Sequence, residues 1–226
     1  LEETLVKMGV DDRRIFIMPM AVDTEHFRPR GVKSGDLVKR WGLEGRYVIG
    51  YVGSLSGWHG ISLLFDLTED LLRHRKDFVV LVVGGEDVQI ERNRQRARQR
   101  GLTDHLVFAG SVSYRDVPEH IALMDVALVP DTHYWTCPTK MFEYQASGVA
   151  TIAPSYPAIL SAMDHGEEGL LFEPGDIRQA VRCILELADQ PDRRRDMGEK
   201  ARRRVVATHS WQHNVDNTIR LFQSMR

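Results

Sequence analysis

The stretch Val48–Gly60 reads VIGYVGSLSGWHG and runs from an apolar segment of strand length into a glycine-rich turn. Beyond Gly60, apolar residues recur at intervals of three and four, a spacing typical of one face of an α-helix. These residues are Ile61, Leu64, Phe65, Leu67, Leu71 and Leu72. The order of strand, glycine turn and helix predicts a β–α unit whose connection can lie close to a ligand.

Five more apolar segments of strand length follow along the chain. They are Phe78–Val83, Leu106–Ala109, Val126–Pro130, Val149–Ala153 and Gly169–Phe172. Short, nearly continuous apolar strands are typical of a parallel sheet that is covered on both faces. Because segments with helical spacing separate them, the sequence predicts an α/β protein with a Rossmann-like, doubly wound parallel sheet of about six strands.

Both ends of the chain depart from this alternation. Near the start, the pattern predicts a helix over Leu1–Met8 and a strand over Ile15–Met20. Near the end, helical spacing predicts one helix over Pro191–Thr208 and a last one over Ser210–Arg226, with Ser210 as its candidate N-cap.

Composition excludes several classes of protein. Thirty Lys and Arg residues against 32 Asp and Glu give a net charge of −2, so no overall positive field attracts nucleic acid. Two cysteines cannot form a disulfide framework, and no apolar run approaches the roughly 20 residues that span a bilayer. We therefore expect a soluble, cytoplasmic protein that does not bind nucleic acid. The chain starts at Leu1 within an amphipathic pattern, and we expect it to be part of a longer protein.

The turn after the first strand is a candidate phosphate site. Gly53, Gly57 and Gly60 allow the backbone to approach a ligand closely, and the following helix begins with N–H groups that can bind an anion. The motifs GxGxxG and GxxxxGK[ST] do not occur here. The alternative is a glycine turn that serves packing only.

A second candidate lies in Pro138–Gly148, which reads PTKMFEYQASG. Pro138 is well placed at a helix start, which puts Thr139 and Lys140 in the first turn. A lysine there is unfavourable for the helix dipole unless an anion is nearby. Glu143 follows three residues later, so its carboxylate can share the face of Lys140 and bind sugar hydroxyls. The alternative is an ordinary surface ion pair between Lys140 and Glu143.

An ordered set of motifs over nearly the whole chain resembles a known family. The motifs are Met18–Pro29 (MPMAVDTEHFRP), Gly53–Gly60, Gly84–Gly85, Phe108–Gly110, Ala127–Pro130, Pro138–Glu143 and Ala146–Gly148. Together they resemble the C-terminal, donor-binding half of the retaining glycosyltransferases of family 4, which have the GT-B fold. The resemblance implies that residues 1–30 end an N-terminal domain and cross over, and that residues 31–226 form a nucleotide-sugar-binding domain.

The resemblance also implies roles for single residues. Glu143 matches the second glutamate of the family's E-x7-E motif, which holds the donor ribose, whereas the first glutamate position is Trp135. Ser54 and His59 stand where the family usually has an arginine and a lysine that neutralise the donor diphosphate. His59 can carry charge if phosphate raises its pKa, and Lys140 can supply the remaining charge. The expected donor-binding residues are Gly53, Ser54, His59, Gly60, Thr139, Lys140 and Glu143, with no catalytic residue assigned.

The predicted function is that of the donor-binding domain of a retaining glycosyltransferase. The whole enzyme would transfer a sugar from a nucleoside diphosphate sugar to an acceptor held mostly by the N-terminal domain, without a metal or another cofactor. Peripheral membrane association of the full-length enzyme is compatible with this prediction. Two alternatives remain: a nucleotide-sugar epimerase with the GT-B fold, and a non-catalytic nucleotide-sugar-binding module.

Overall fold

The computed structural model describes residues 2–224, apart from the side chains of Glu3 and Trp58. Its sheet has six strands, which are β1 (Tyr47–Val52), β2 (Phe78–Val83), β3 (Leu106–Gly110), β4 (Val126–Leu128), β5 (Thr151–Pro154) and β6 (Gly169–Phe172). Their order is β3-β2-β1-β4-β5-β6, and each neighbouring pair is parallel. The predicted six-stranded parallel sheet is therefore confirmed.

Burial of both sheet faces explains the apolar runs. Every residue of β1 and β2 is buried. Along β1, Ile49 and Tyr51 point into the apolar cluster on one face, while Val48 and Val52 point into the cluster on the other. Because successive side chains of a strand alternate between faces, a strand covered on both sides has to be apolar throughout.

Ten α-helices accompany the sheet in residues 2–224. They are α1 (Glu2–Lys7), α2 (Gly35–Arg40), α3 (Ile61–Leu71), α4 (Asp87–Gln99), α5 (Val117–Ile121), α6 (Thr139–Ala146), α7 (Pro157–Leu160), α8 (Ile177–Asp189), α9 (Pro191–Thr208) and α10 (Trp211–Ser224). Helix α3 packs against α8, and α6 packs against α9. Short 3-10 turns span Asp12–Arg14, Gly57–His59 and Tyr114–Asp116.

The helix ends follow the predicted capping chemistry. Ser210 caps α10, since its Oγ accepts a hydrogen bond from the backbone N–H of His213 at 3.2 Å. The predicted end residues Leu1, Met225 and Arg226 lie outside the described residues.

Strand β5 starts two residues later than predicted. The backbone N–H of Val149 donates to the carbonyl oxygen of Tyr144 at 3.0 Å and thereby closes the end of α6. Gly148 adopts φ 74° in this turn, as a helix C-terminus commonly requires. Val149 and Ala150 therefore belong to the turn, and the strand begins at Thr151.

The predicted strand Ile15–Met20 is wrong, because these residues have no regular secondary structure. Two carbonyl groups at its end lie instead beside α10 and beside His209, which follows α9. The side chain of Asn214 donates to the carbonyl oxygen of Pro19 at 2.9 Å. Nδ1 of His209 lies 3.0 Å from the carbonyl oxygen of Met20. A strand satisfies its backbone groups by pairing with a neighbour, and no strand among residues 2–224 pairs with this exposed segment.

Candidate functional site

The candidate site lies where the connections of the sheet change direction. Strands β1 and β4 are neighbours at the centre of the sheet, and the chain winds outward from them to either side. In open α/β sheets, the crevice at the carboxyl ends of such strands is where ligands bind. The glycine turn after β1 and the 131–138 segment after β4 meet at this crevice.

Glycine is required where the two segments touch. A Cβ on Gly53 would lie 2.7 Å from Nζ of Lys140, and a Cβ on Gly60 would lie 2.5 Å from Cβ of Asp131. Both glycines have positive φ angles, 144° and 71°. Packing against the β4–α6 segment therefore accounts for Gly60, whereas Gly53 leaves room for a cation above the end of β1.

Lys140 is that cation. It belongs to the first turn of α6, and its ammonium group donates a hydrogen bond to the hydroxyl of Tyr51 at 3.0 Å. The same nitrogen lies 4.3 Å from the centre of the Tyr51 ring, a cation–π contact. The Tyr51 hydroxyl in turn donates to the carbonyl oxygen of Ser54 at 2.7 Å. Burial lowers the pKa of Lys140 to about 8, although the nearby Glu143 acts in the opposite direction.

Glu143 lies one turn further along the same helix and is partly buried. Burial raises the pKa of its carboxyl group, while Lys140 and His26 lower it. Among the ion pairs of residues 2–224, none joins Lys140 to Glu143 within 4.0 Å. The two side chains influence each other's pKa but do not form a direct ion pair in this structure.

His26 and Tyr114 interact electrostatically with Glu143 and were not predicted as site residues. The rings of His26 and Tyr114 are stacked with their centres 4.8 Å apart, and Nε2 of His26 lies 3.1 Å from the carbonyl oxygen of Tyr114. Glu143 raises the pKa of the Tyr114 hydroxyl, although burial is the larger cause. Two ring-bearing residues from distant parts of the chain are thus close enough to Glu143 to interact with it electrostatically.

The remaining predicted residues lie around the turn and the helix start. Ser54 is exposed, and its Oγ is 2.6 Å from that of Ser56. Thr139 is exposed at the first position of α6. Burial, Lys140 and His133 together lower the pKa of His59 to about 4, so its imidazole is neutral at pH 7 in this structure. The structure thus places Gly53 beside Lys140 and Gly60 beside Asp131 at the crevice.

Two tyrosines that sequence reasoning missed hold this arrangement. Tyr51 supports Lys140, and the hydroxyl of Tyr144 accepts a hydrogen bond from the backbone N–H of Val52 at 2.7 Å. Both side chains are fully buried. A tyrosine hydroxyl needs a partner when it is buried, so the tyrosine within the otherwise apolar strand β1 is the signal that could have identified Tyr51.

In the described part of the chain, no three His, Cys, Asp or Glu side chains are grouped as a metal site would require. No helix within residues 2–224 is long and apolar enough to cross a membrane.

Comparison with known proteins agrees with the fold and the motifs. The sequence model of the family described as glycosyl transferases, group 1, matches residues 36–204. A GDP-mannose-dependent alpha-(1-6)-phosphatidylinositol monomannoside mannosyltransferase of Mycobacterium tuberculosis is 28% identical over 206 residues, which cover 86% of this chain and 52% of that protein. A 2-deoxystreptamine glucosyltransferase of Streptomyces kanamyceticus is 28% identical over 191 residues, which cover 82% of this chain and 48% of that protein.

Solved structures are similar over almost the whole chain. The crystal structure of Anabaena Alr3699/HepE in complex with UDP has a TM-score of 0.87 at 17% identity and covers 99% of this chain and 61% of that one. Sucrose-phosphate synthase from Thermosynechococcus elongatus has a TM-score of 0.82 at 22% identity, with 99% and 56% covered. The chain spans about half the length of the curated relatives that it matches.

Proposed function

The chain belongs to the glycosyl transferases of group 1, and we propose that it binds the sugar donor of a retaining glycosyltransferase. The donor is a nucleoside diphosphate sugar, and the sugar is transferred to an acceptor held mostly by a preceding domain. The relatives support this proposal, since one is named as a GDP-mannose-dependent mannosyltransferase and the solved structure of Alr3699/HepE contains UDP. An epimerase or a non-catalytic module is not favoured, because the relatives described above are named as transferring enzymes.

The observation that carries the proposal is the position of Lys140. Its ammonium group lies above Gly53 and is supported by Tyr51, at the N-terminus of α6. A lysine and the free N–H groups of a helix start are the groups that bind phosphate oxygens. We place the donor diphosphate between Gly53 and the first turn of α6. In this proposal, Lys140 and the helix N–H groups neutralise the diphosphate charge without a metal ion.

Glu143 fits the ribose of the same donor. It follows Lys140 by three residues, which is about 4.5 Å along a helix axis at 1.5 Å per residue. A carboxylate can accept two hydrogen bonds, which suits a vicinal diol and does not suit a phosphate. The partly buried carboxylate between Lys140 and His26 is therefore the proposed acceptor for the ribose hydroxyls.

The domain would assist transfer by stabilising the leaving group. When the bond between the sugar and the diphosphate breaks, negative charge increases on the diphosphate oxygens. The cation of Lys140 and the N–H groups of α6 are already in place to bind that charge, which lowers the barrier without reorganisation of the site.

An exposed apolar face on α10 supports a preceding domain. Trp211, Val215, Ile219 and Phe222 follow one another at intervals of four, four and three residues, and each is at least 49% exposed. This spacing places them on one side of the helix, and we propose that the preceding domain covers it. The boundary between residues 30 and 31, peripheral membrane association and a cytoplasmic location stay predictions.

The decisive experiment is calorimetric titration of the chain with UDP and with GDP. We expect one of them to bind, and Lys140→Met to weaken that binding about 10- to 100-fold, as for loss of a charge-assisted phosphate contact. Lys39→Met is the matched control, because Lys39 is exposed on α2. If neither nucleotide binds, or if both variants bind as the parent does, the proposal is wrong.

A further inference from the structure

The guanidinium group of Arg202 joins two segments that are far apart in the chain. Arg202 lies on α9 and is partly buried. Its Nη1 donates hydrogen bonds to the carbonyl oxygen of Phe27, at 3.1 Å, and to that of Ala146, while its Nη2 lies 3.5 Å from the carbonyl oxygen of Thr24. None of the ion pairs of residues 2–224 includes Arg202. Within this part of the chain, its partners are therefore backbone carbonyl groups.

One of these carbonyl groups lies at the end of the helix that forms the proposed donor site. Ala146 is the last residue of α6. The carbonyl groups of a final helical turn have no partner within the helix, and an arginine near that end can bind them and interact favourably with the helix dipole. Glu143 precedes Ala146 by three residues, which is about 4.5 Å along the axis. Arg202 thus holds the end of α6 that carries Glu143.

The other two carbonyl groups belong to a turn over residues 23–27. The backbone N–H of Phe27 closes this turn by donating to the carbonyl oxygen of Asp23 at 2.9 Å. Oδ1 of Asp23 also accepts hydrogen bonds from the backbone N–H groups of Glu25 and His26, at 3.0 and 2.9 Å. The side chain of Phe27 is fully buried. The turn is therefore a small unit with its own hydrogen bonds, and it carries His26.

The turn brings His26 close enough to Glu143 to act on its charge. The His26 ring meets that of Phe27 edge-on at 84°, with the centres 4.9 Å apart, and is stacked on that of Tyr114. Lys140 and His26 both lower the pKa of the Glu143 carboxyl group and so favour its ionised form. An ionised carboxylate accepts two hydrogen bonds, as a ribose diol requires. This step rests on the proposed function.

We propose that Arg202 is a positioning residue of the donor site, because it fixes the turn that carries His26 against the end of the helix that carries Glu143. It acts through these two residues and not through contact with the donor. A planar guanidinium has several N–H groups in a fixed fork, so it binds both segments at once. The ammonium group of a lysine keeps the charge but is a single compact donor group, so a lysine does not reproduce this bridge.

The experiment compares Arg202→Lys with the parent chain and with Arg203→Lys. Arg203→Lys is the matched control, because Arg203 is the next residue of α9, is exposed, and its Nη1 lies 4.0 Å from a carboxylate oxygen of Glu199. Calorimetry measures the affinities for UDP, for GDP and for their 2′,3′-dideoxy analogues. NMR titration of the Glu143 carboxyl carbon, without nucleotide, measures the pKa of that group. Circular dichroism verifies that each variant is folded.

A positioning role predicts two changes in Arg202→Lys that are absent from Arg203→Lys. The preference for the diphosphate over its dideoxy analogue falls about threefold to tenfold, as for loss of an interaction between coupled residues. The pKa of Glu143 rises, because His26 is no longer held in place and favours the ionised form less. His26→Ala gives the same two changes, and adding Arg202→Lys to His26→Ala changes neither measurement further.

Other results overturn this role. These are an Arg202→Lys variant that matches the parent in both measurements or loses stability alone, the same changes in Arg203→Lys, or a further loss when Arg202→Lys is added to His26→Ala. If Arg202→Lys does not fold, Arg202→Gln takes its place, with Arg203→Gln as the control. If the parent binds no nucleotide, the proposed function fails, and the pKa of Glu143 still decides whether Arg202 acts through His26.

Discussion

Replacing Lys140 by Met should make the protein more stable at pH 7 while it weakens nucleotide binding. Burial lowers the pKa of Lys140 from its ordinary 10.5 to about 8. Since each pKa unit corresponds to about 1.4 kcal/mol, keeping this charge in the fold at pH 7 costs about 3 kcal/mol. Losing the hydrogen bond and the cation–π contact with Tyr51 offsets about half of that, so we expect a net gain of about 1–2 kcal/mol.

The pH dependence gives this prediction a sign. The folded protein binds the Lys140 proton less tightly than the unfolded chain, so the unfolded chain carries more protons between about pH 8 and pH 10.5. The free-energy cost of burying the Lys140 charge therefore disappears from the parent as pH rises through this interval. The stability that Lys140→Met gains over the parent decreases with it. Binding of a diphosphate needs the protonated ammonium, so the parent's affinity should fall above about pH 8.

Urea unfolding followed by circular dichroism, at pH 7 and at about pH 10, measures the difference between parent and variant. Lys39→Met serves as the control, since its exposed side chain leaves no burial penalty to remove. A Lys140→Met variant that is less stable at pH 7, or a difference that does not change with pH, would refute the reasoning from burial.

Two further predictions concern Glu143 and Gly84. The parent should bind its nucleoside diphosphate more tightly than the 2′,3′-dideoxy analogue, and Glu143→Gln should shrink that difference in calorimetry; undiminished discrimination would remove Glu143 from the ribose site. Gly84→Ala should destabilise the protein by about 2–4 kcal/mol in thermal or urea unfolding, because φ is 115° and the new Cβ would lie 2.3 Å from the carbonyl oxygen of Gly53. Gly101→Ala, at φ 67° with open space, should cost only about 1–2 kcal/mol, and an equal loss in both would contradict the contact with Gly53.

The sheet was predictable because burial on both faces leaves a strong pattern in the sequence. Phe78–Val83 and Gly169–Phe172 are strands with the predicted bounds, because each is a continuous apolar run that is buried on both faces of the sheet. Ile15–Met20 has a similar composition but no neighbouring strand, and Phe16 and Ile17 are 45% and 59% exposed. Whether a strand forms depends on a pairing partner, which local composition does not specify.

The site was predictable in its charged residues and not in the groups that hold them. Lys140 and Glu143 follow from helix position and charge, both of which can be deduced from neighbouring residues. Tyr51 is 89 positions from Lys140, and His26, near the start of the chain, influences the pKa of Glu143. These contacts depend on the order of strands in the sheet, so they become visible only once the topology is known.

The site relies on one largely buried cation, Lys140, instead of on several exposed ones. Ser54 carries no charge and the pKa of His59 is lowered to about 4, so at pH 7 the turn after β1 contributes no cation of its own. A single ammonium group on the Tyr51 ring, largely removed from water, interacts with an anion more strongly than an exposed lysine would. The same burial destabilises the protein without a ligand, because the charge has lost water and the nearby Glu143 offsets only part of that loss. Binding of a diphosphate would relieve that penalty, so the stability gained by Lys140→Met and the affinity lost by it have one physical cause.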